Sequence, residues 1–225
     1  MIVVSGASRG LGRAIAERLH ARGEPVLGLA RQAVEAPFPV LACDVADADA
    51  VKAAARHVKG LGQPMRALVN AAGIASMNLA LTTPAATAER IVATNLLGTI
   101  YCCQQFTPLM VRHKAGVVLN FSTIAVALGL KGESIYAASK AGVEGFSRAF
   151  AREVADFGIR VNCIAPGPIA TDLIKGVPGA AIDRIVSQQI IPRQHQAGDV
   201  CDLVELLLDA RGASLSGQVL HVGGA

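Results

Sequence analysis

The sequence has no tryptophan, only two tyrosines and an aromatic content of 4%. Recognition of nucleic acid by base stacking therefore lacks its usual platforms. The net charge of +4 arises from basic residues scattered along the chain, an excess that suits sites for small anions, and nucleic acid is not expected as a partner. Charge is scarce at 17% against 52% hydrophobic residues, which excludes a disordered or fibrous chain. The five cysteines, Cys43, Cys102, Cys103, Cys163 and Cys201, are odd in number and nowhere take a Cys-x-x-Cys spacing. Neither a disulfide framework nor a metal site is indicated, and buried thiols in a reducing compartment are expected. Long hydrophobic runs are missing too. The apolar start Met1–Val4 has no basic segment before it and breaks at Gly6, and no later run reaches the roughly 18–20 residues of a membrane span. A cytoplasmic location with no membrane partner is expected.

What is present is alternation. Short β-branched runs, "MIVVSG", "PVLGLA", "FPVLACDV", "ALVNAAG", "GVVLNFS", "IRVNCIAPG" and "GQVLHVGG", give about seven strand candidates within the 225 residues. Between them, 13–22, 46–58, 85–113, 134–157 and 197–210 read as helices by apolar spacing and composition. Continuously apolar strands are those buried on both faces. The pattern predicts one α/β domain spanning 1–225, a parallel sheet between two helical layers with right-handed crossovers. Only "QAVEAPFP" separates the second and third strands, too short and proline-rich for a helix, so a bare loop is expected there. The segment 171–193, with Gly176, Pro178 and Gly179 before an amphipathic stretch, reads as a substrate lid.

Such sheets bind ligands beyond the carboxyl ends of their strands, where strand order reverses. The turn "SGASRGLG", joining the first strand to the first helix, lies there. Its Gly6, Gly10 and Gly12 would let a pyrophosphate approach backbone N–H groups at a helix N-terminus. Close packing of helix on turn accounts for glycines as well. The setting, a first strand entering an alanine-rich helix, favours nucleotide binding.

A second constellation is Tyr136-Ala-Ala-Ser-Lys140, whose tyrosine and lysine lie one helical turn apart on one face. An ammonium beside a phenol lowers its pKa toward working pH, as a proton donor to a carbonyl requires. Tyr-x-x-x-Lys also occurs on ordinary exposed helices. Ser122, at the carboxyl end of a predicted strand, shifts the balance toward chemistry.

With these residues in hand the chain resembles the short-chain dehydrogenases/reductases over nearly its whole length. The motifs are "SGASRGLG", Asp44-Val45, "NAAG" at 70–73, Asn95 in "VATNLLG", Ser122, "YAASK" and "PGPIATD" at 166–172. Within that family it is most similar to the 3-oxoacyl-acyl-carrier-protein reductases, through "YAASKAGVEGFSRAFAREVADFGIRVNCIAPGPIATD" and "LSGQVLHVGG". The resemblance implies a single-domain Rossmann-type three-layer sandwich and a homodimer or homotetramer. It also implies a place in fatty acid biosynthesis. In it, Tyr136 gives its proton to the substrate carbonyl oxygen and Ser122 hydrogen-bonds the same oxygen. Lys140 holds the nicotinamide ribose and depresses the tyrosine pKa, and Asn95 anchors a water that relays protons to Lys140. The cofactor contacts implied are Gly6, Ser8, Arg9, Gly10, Leu11, Gly12, Arg31, Asp44, Val45, Asn70, Ala71, Gly73, Tyr136, Lys140, Pro166, Gly167, Ile169 and Thr171.

Charge selects the cofactor. NAD sites place a carboxylate after the second strand, whereas NADP sites supply cations for the 2′-phosphate. Here "GLAR" ends in Arg31 and Arg9 lies inside the glycine turn, so NADP(H) is expected. Candidate pocket residues are Ser76, Met77, Ile124, Val126, Gly167, Ile169 and Leu173, mostly apolar and suited to a small-molecule ketone or an acyl thioester. The basic run Arg112-His113-Lys114 offers a dock for an acidic acyl-carrier protein at the active-site mouth, although cations at a helix C-terminus also answer the helix dipole. Phe157, where carrier-protein reductases often have a basic residue, weighs against that delivery. Alternatives are a reductase or dehydrogenase of another small ketone or secondary alcohol, a non-catalytic NADP-binding protein, and a subunit that matters through its association.

Overall fold

The computed structural model describes residues 1–171 and 178–225. Seven strands, β1 (Ile2–Ser5), β2 (Val26–Ala30), β3 (Val40–Ala42), β4 (Ala67–Asn70), β5 (Gly116–Phe121), β6 (Ile159–Pro166) and β7 (Val219–Val222), form one sheet in the order 3-2-1-4-5-6-7. Every pairing is parallel. The order reverses between β1 and β4, which pair with Ser5 opposite Asn70 at their carboxyl ends. Residues 172–177, including Asp172, the pocket candidate Leu173 and the start of the expected lid, lie outside the described residues.

The two-residue period of a strand sends Val3 to one face of the sheet and Ile2 and Val4 to the other. Helices α1 (Gly10–Ala21) and α9 (Ala197–Leu208) cover the Ile2 face through Ile15, Leu19, Val204 and Leu207. Against the Val3 face lie α2 (Ala48–Gly60), α4 (Gly98–Phe106) and α7 (Ser134–Glu153). Each large apolar side chain so buried contributes about 1.5–3 kcal/mol, and the paired clusters make the three layers the alternation predicts. Shorter helices α3 (Ala85–Val92), α5 (Pro108–Val111), α6 (Ala125–Leu128) and α8 (Gly179–Val186) complete the α-helices among the described residues.

Two elements depart from simple expectation in ways that matter for the site. The helix expected over 85–113 is continuous only in outline: α3 passes into a π-turn at Ala93–Leu97 before α4, and a new turn starts with Pro108 at the head of α5. The wider turn carries Asn95, fully buried, against Ile74 and Ser139 of α7. Between β2 and β3 the chain has the expected bare loop, and Phe38, 3% exposed, fills the place of a crossover helix. Arg13 holds that loop through the carbonyl of Glu35 at 2.9 Å and by lying 5.5 Å over the Phe38 ring.

Candidate active site

A cleft of about 630 Å³ opens over the carboxyl ends of the central strands. The turn between β1 and α1 forms one wall with Gly6, Ser8, Arg9, Gly10, Leu11 and Gly12. Arg31 follows from the end of β2, Asp44 and Val45 from the end of β3, and Ala71, Gly73 and Ser76 from the segment after β4. Ser122, Tyr136, Lys140, Pro166 and Thr171 close the far side. One cleft thus gathers residues spread from Gly6 to Thr171. A separate cavity of about 510 Å³, around His20, Pro25 and His57, sits at the opposite end of the sheet and holds none of these groups.

The glycines divide by task. A Cβ on Gly12 would stand 2.5 Å from the Gly6 carbonyl oxygen, and one on Gly6 would stand 2.8 Å from Ala72 backbone, so both serve chain-on-chain packing. Gly6 (φ +72°) and Gly10 (φ +59°) both have backbone that favours glycine, but Gly10 differs in that its Cβ would point into open space with only Thr171 at 3.7 Å. Ser5 adds a tie, its hydroxyl accepting from the Ala72 N–H at 3.2 Å across the switch point. Helix α1 begins here with no side-chain cap and no acid in its first turn, whereas Asp47 caps α2 and Gln196 with Asp199 caps α9. The positive end of α1 therefore faces the cleft uncompensated.

On α7, Tyr136 and Lys140 lie one turn apart and are both buried. Lys140 Nζ donates to the Phe121 carbonyl at 2.8 Å, and burial pulls its pKa down to about 8, with Cys163 opposing. Burial likewise holds the Tyr136 phenol well above its usual value, helped by the Glu133 charge and opposed by the Thr123 hydroxyl. The phenol depression expected from Lys140 is not found: desolvation dominates, and the lowering contact comes from Thr123 instead.

Asn95 grips the backbone of Ile74 from both sides: Oδ1 accepts from its N–H at 2.8 Å and Nδ2 donates to its carbonyl at 2.9 Å. Nδ2 also donates to Ser139 Oγ at 3.0 Å. A Cβ on Gly73 would fall 3.3 Å from Asn95 Oδ1 and 3.4 Å from Lys140 Nζ, so the bare glycine keeps a gap between those two polar atoms. Asn70 points into the sheet, donating to Asn120 Oδ1 at 2.8 Å, and its own Oδ1 is a buried acceptor with no partner among the described residues. Gly167 and Ile169 lie behind the cleft wall, Gly167 against Gln189 and Ile169 bridged to His195. Of the pocket candidates, Ser76 lines the cleft and Ile124 is buried beneath Gly167; Met77 and Val126 are not on its wall.

One sequence-based placement needs correction, and three residues need adding. Arg112-His113-Lys114 lies one residue, Ala115, before Gly116, the first residue of β5, so it sits at the amino end of the sheet. Ser122 follows the other end of that strand, about 20 Å away at the usual rise per residue. The basic run therefore does not border the active-site mouth. Residues that sequence reading missed are Thr123, Arg90 at the cleft rim, and Glu144, whose Oε1 accepts from Ser122 Oγ at 2.7 Å. A signal for Glu144 existed, since Tyr136, Lys140, Glu144 and Arg148 follow at four-residue steps along one face of α7.

The donor set fits a dinucleotide: an uncapped helix N-terminus behind Gly10, cationic Arg9 and Arg31, and buried Lys140 with donor hydrogens to spare after Phe121. A parallel sheet layered on both faces with such a cleft at its switch point defines a dinucleotide-binding class of fold. A family model described as enoyl-(acyl carrier protein) reductase matches residues 6–224. The chain is 34% identical over 235 residues to the 3-oxoacyl-[acyl-carrier-protein] reductase FabG of Staphylococcus aureus (strain N315), covering 99% of this chain and 96% of that one. The protein of the same name from Escherichia coli (strain K12) is 33% identical over 231 residues, covering 99% and 95%. Among solved structures, the ligand-free aldohexose dehydrogenase of Thermoplasma acidophilum superposes with a TM-score of 0.90 at 30% identity, covering 99% of this chain and 92% of that one. The structure titled gox2181 gives 0.92 at 25%, covering 98% and 93%. The chain belongs to the short-chain dehydrogenase/reductase family, whose members use nicotinamide cofactors. No helix among the described residues is long and apolar enough to cross a membrane.

Proposed function

We propose that the protein reduces a ketone to a secondary alcohol with NADPH, and that its substrate is a 3-oxoacyl thioester. The observation that carries this reading is the meeting of Ser122, Tyr136 and Lys140 in the same cleft as the uncapped α1 N-terminus and its two arginines. The names of the curated relatives support the acyl substrate. Bound nicotinamide would supply the hydride. Tyr136 gives its proton to the carbonyl oxygen, and Ser122 stabilises negative charge developing there. Lys140 holds ribose hydroxyls and stabilises the phenolate once the proton has left. Asn95 positions the Ile74 segment, and the gap over Gly73 suits a water that returns a proton toward Lys140. Gly6, Ser8, Gly10, Leu11 and Gly12 receive the pyrophosphate, Arg9 and Arg31 the 2′-phosphate, and Asp44 and Val45 the adenine. Asn70, Ala71, Gly73, Pro166, Gly167, Ile169 and Thr171 shape the remaining cofactor channel. The protein works in the cytoplasm as a homodimer or homotetramer. Delivery on a carrier protein remains part of the proposal without support from Arg112-His113-Lys114.

A second reading is a dehydrogenase of a smaller secondary alcohol, favoured by the likeness to an aldohexose dehydrogenase. Oxidation of NADPH by acetoacetyl thioesters of coenzyme A and of carrier protein, for wild type and Tyr136→Phe, tests both. Turnover lost in the mutant supports the proposal. Thioester-independent oxidation of sugars or simple alcohols, with no ketothioester reduction, favours the second reading.

A further inference from the structure

In the proposed function the turn after β5 offers a hydroxyl to the substrate carbonyl oxygen. That turn carries two in succession, Ser122 and Thr123, and only a hydroxyl with a hydrogen to give can stabilise charge on an oxygen. Ser122 reaches the cleft wall, but it is 3% exposed and its Oγ donates to Glu144 Oε1 at 2.7 Å. Arg148 meets the other carboxylate oxygen at 3.3 Å, and Glu144 is itself buried, so this bond is backed from the far side. The one hydrogen of Ser122 is engaged inside the protein.

Thr123 is arranged the other way round. It is half-buried, and its Oγ1 accepts from the Ala125 N–H at 3.3 Å where the chain enters α6. An oxygen that accepts from its own chain keeps its hydrogen for another partner. The Thr123 hydroxyl meets the Tyr136 phenol, the group that gives the substrate its proton, and there it opposes the rise that burial imposes on that phenol. Two hydroxyls in contact can turn both hydrogens onto a third oxygen set between them, as the donors of an oxyanion hole do. The backbone on either side is fixed: Ser122 N–H donates to the Ile164 carbonyl at 2.8 Å and Ile124 N–H to that of Pro166 at 3.1 Å.

We propose that Thr123 is a further catalytic residue, the hydroxyl that donates to the substrate oxygen beside Tyr136, and that Ser122, tied to Glu144, is the positioning residue that holds it there. The proposal rests on the reductase reading and moves one task within it, from Ser122 to Thr123. The proton count is unchanged: Tyr136 transfers its proton to the carbonyl oxygen, while Thr123 hydrogen-bonds that oxygen and keeps its own. The bond from Ser122 to Glu144 ties the turn to the helix that carries Tyr136 and Lys140, which holds the donor and the acid at one spacing.

A spectroscopic signal tests the contact and kinetics test its use. In cofactor-free protein labelled with 13C at tyrosine Cζ, the Tyr136 resonance is one of only two and is assigned by its loss in Tyr136→Phe. It should move in Thr123→Val and return toward its wild-type position in Thr123→Ser. A resonance unmoved in Thr123→Val overturns the contact whatever the enzyme does. With acetoacetyl-coenzyme A and NADPH, or in reverse with whichever secondary alcohol turns over, Thr123→Val should lower kcat roughly 10²–10³-fold, the scale of one lost oxyanion donor, with KM changed much less. Thr123→Ser should recover most of that loss, and Thr123→Ala serves if the valine variant folds poorly. Ser122→Ala should lower kcat less than Thr123→Val does. Combined with Thr123→Val it should add little, because a residue that acts through Thr123 then has nothing left to position. A kcat for Thr123→Val close to wild type, a larger loss in Ser122→Ala, or losses that multiply in the double variant would each overturn the assignment. Absence of turnover with every ketone and alcohol would overturn the catalytic role together with the reductase reading, while a shifted Tyr136 resonance would keep the Thr123–Tyr136 contact.

Discussion

Lys140 Nζ donates to the carbonyl oxygen of Phe121 at 2.8 Å, tying the first half of α7 to the last residue of β5. That one bond fixes the ammonium immediately before Ser122 in the chain and one turn beyond Tyr136. It also holds a charge where burial opposes it, pulling the lysine from its ordinary 10.5 down to about 8. Native protein thus binds fewer protons at this site than unfolded chain does between those values, and stability attributable to Lys140 rises with pH across that window. A displacement of this size is worth about 3 kcal/mol. In urea denaturation, the stability of wild type relative to Lys140→Met should increase by roughly that amount between pH 7.5 and 10.5. A difference that stays flat or declines with pH would show that the lysine is not desolvated as the structure places it.

The Asn95 clamp on Ile74 makes two bonds between a side chain in the π-turn and the backbone that lines the cleft. Replacing the amide by a methyl group leaves a part-buried N–H and a part-buried carbonyl of Ile74 without their partner. Asn95→Ala should cost about 1–3 kcal/mol of stability. Because Gly73 and Ile74 form part of the cleft wall, nucleotide affinity should fall as well. Asn95→Asp keeps the acceptor for the Ile74 N–H but sets a carboxylate oxygen against the Ile74 carbonyl, so it should not rescue. Thermal melts and fluorescence titration with reduced nucleotide check both expectations.

Arg31 closes β2 and faces the cleft where a second ribose would lie if the proposed cofactor is right. Arg31→Glu reverses the charge offered to a 2′-phosphate and provides an acceptor for a ribose hydroxyl. The preference for NADPH over NADH should fall roughly tenfold or more, as expected for losing a charge-assisted phosphate contact. Relative kcat/KM for the two reduced nucleotides reads this directly. An unchanged ratio would leave Arg31 a surface charge.

What could be read in advance was local. The glycine turn and the Tyr136–Lys140 pair are short-range patterns, and continuous apolar runs announce strands buried on both faces, so the layered parallel sheet follows from them. Contacts between distant segments were not legible in that way. Nothing in "LNFSTIA" says that Ser122 meets a carboxylate on the next long helix. The π-turn at Asn95 is a shift in hydrogen-bond register, and composition hardly encodes it. Arg112-His113-Lys114 is the instructive error. A run that ends a helix and enters a parallel strand must lie at the amino end of the sheet, so topology already excluded it from the mouth.

Gly10 and Gly12 look alike in "SGASRGLG" yet predict opposite phenotypes. A methyl group on Gly12 would stand 2.5 Å from Gly6 O and 2.9 Å from Gly6 C, atoms of a backbone that cannot swing aside. Gly12→Ala must push α1 off the turn, and should lower stability by about 2–3 kcal/mol while abolishing nucleotide binding. Gly10→Ala meets no such wall. Its strain at φ +59° is about 1–2 kcal/mol, but its methyl group projects into the cleft in front of the α1 N-terminus. Nucleotide affinity should fall at least roughly tenfold for a smaller loss of stability, because an anion that relies on close approach to backbone N–H groups is held away from them. Measured side by side, melting temperature should fall further in Gly12→Ala, and the binding lost per kcal/mol of stability should be larger in Gly10→Ala. If both variants lose binding only in proportion to stability, packing alone explains the glycines and the turn is no anion cradle.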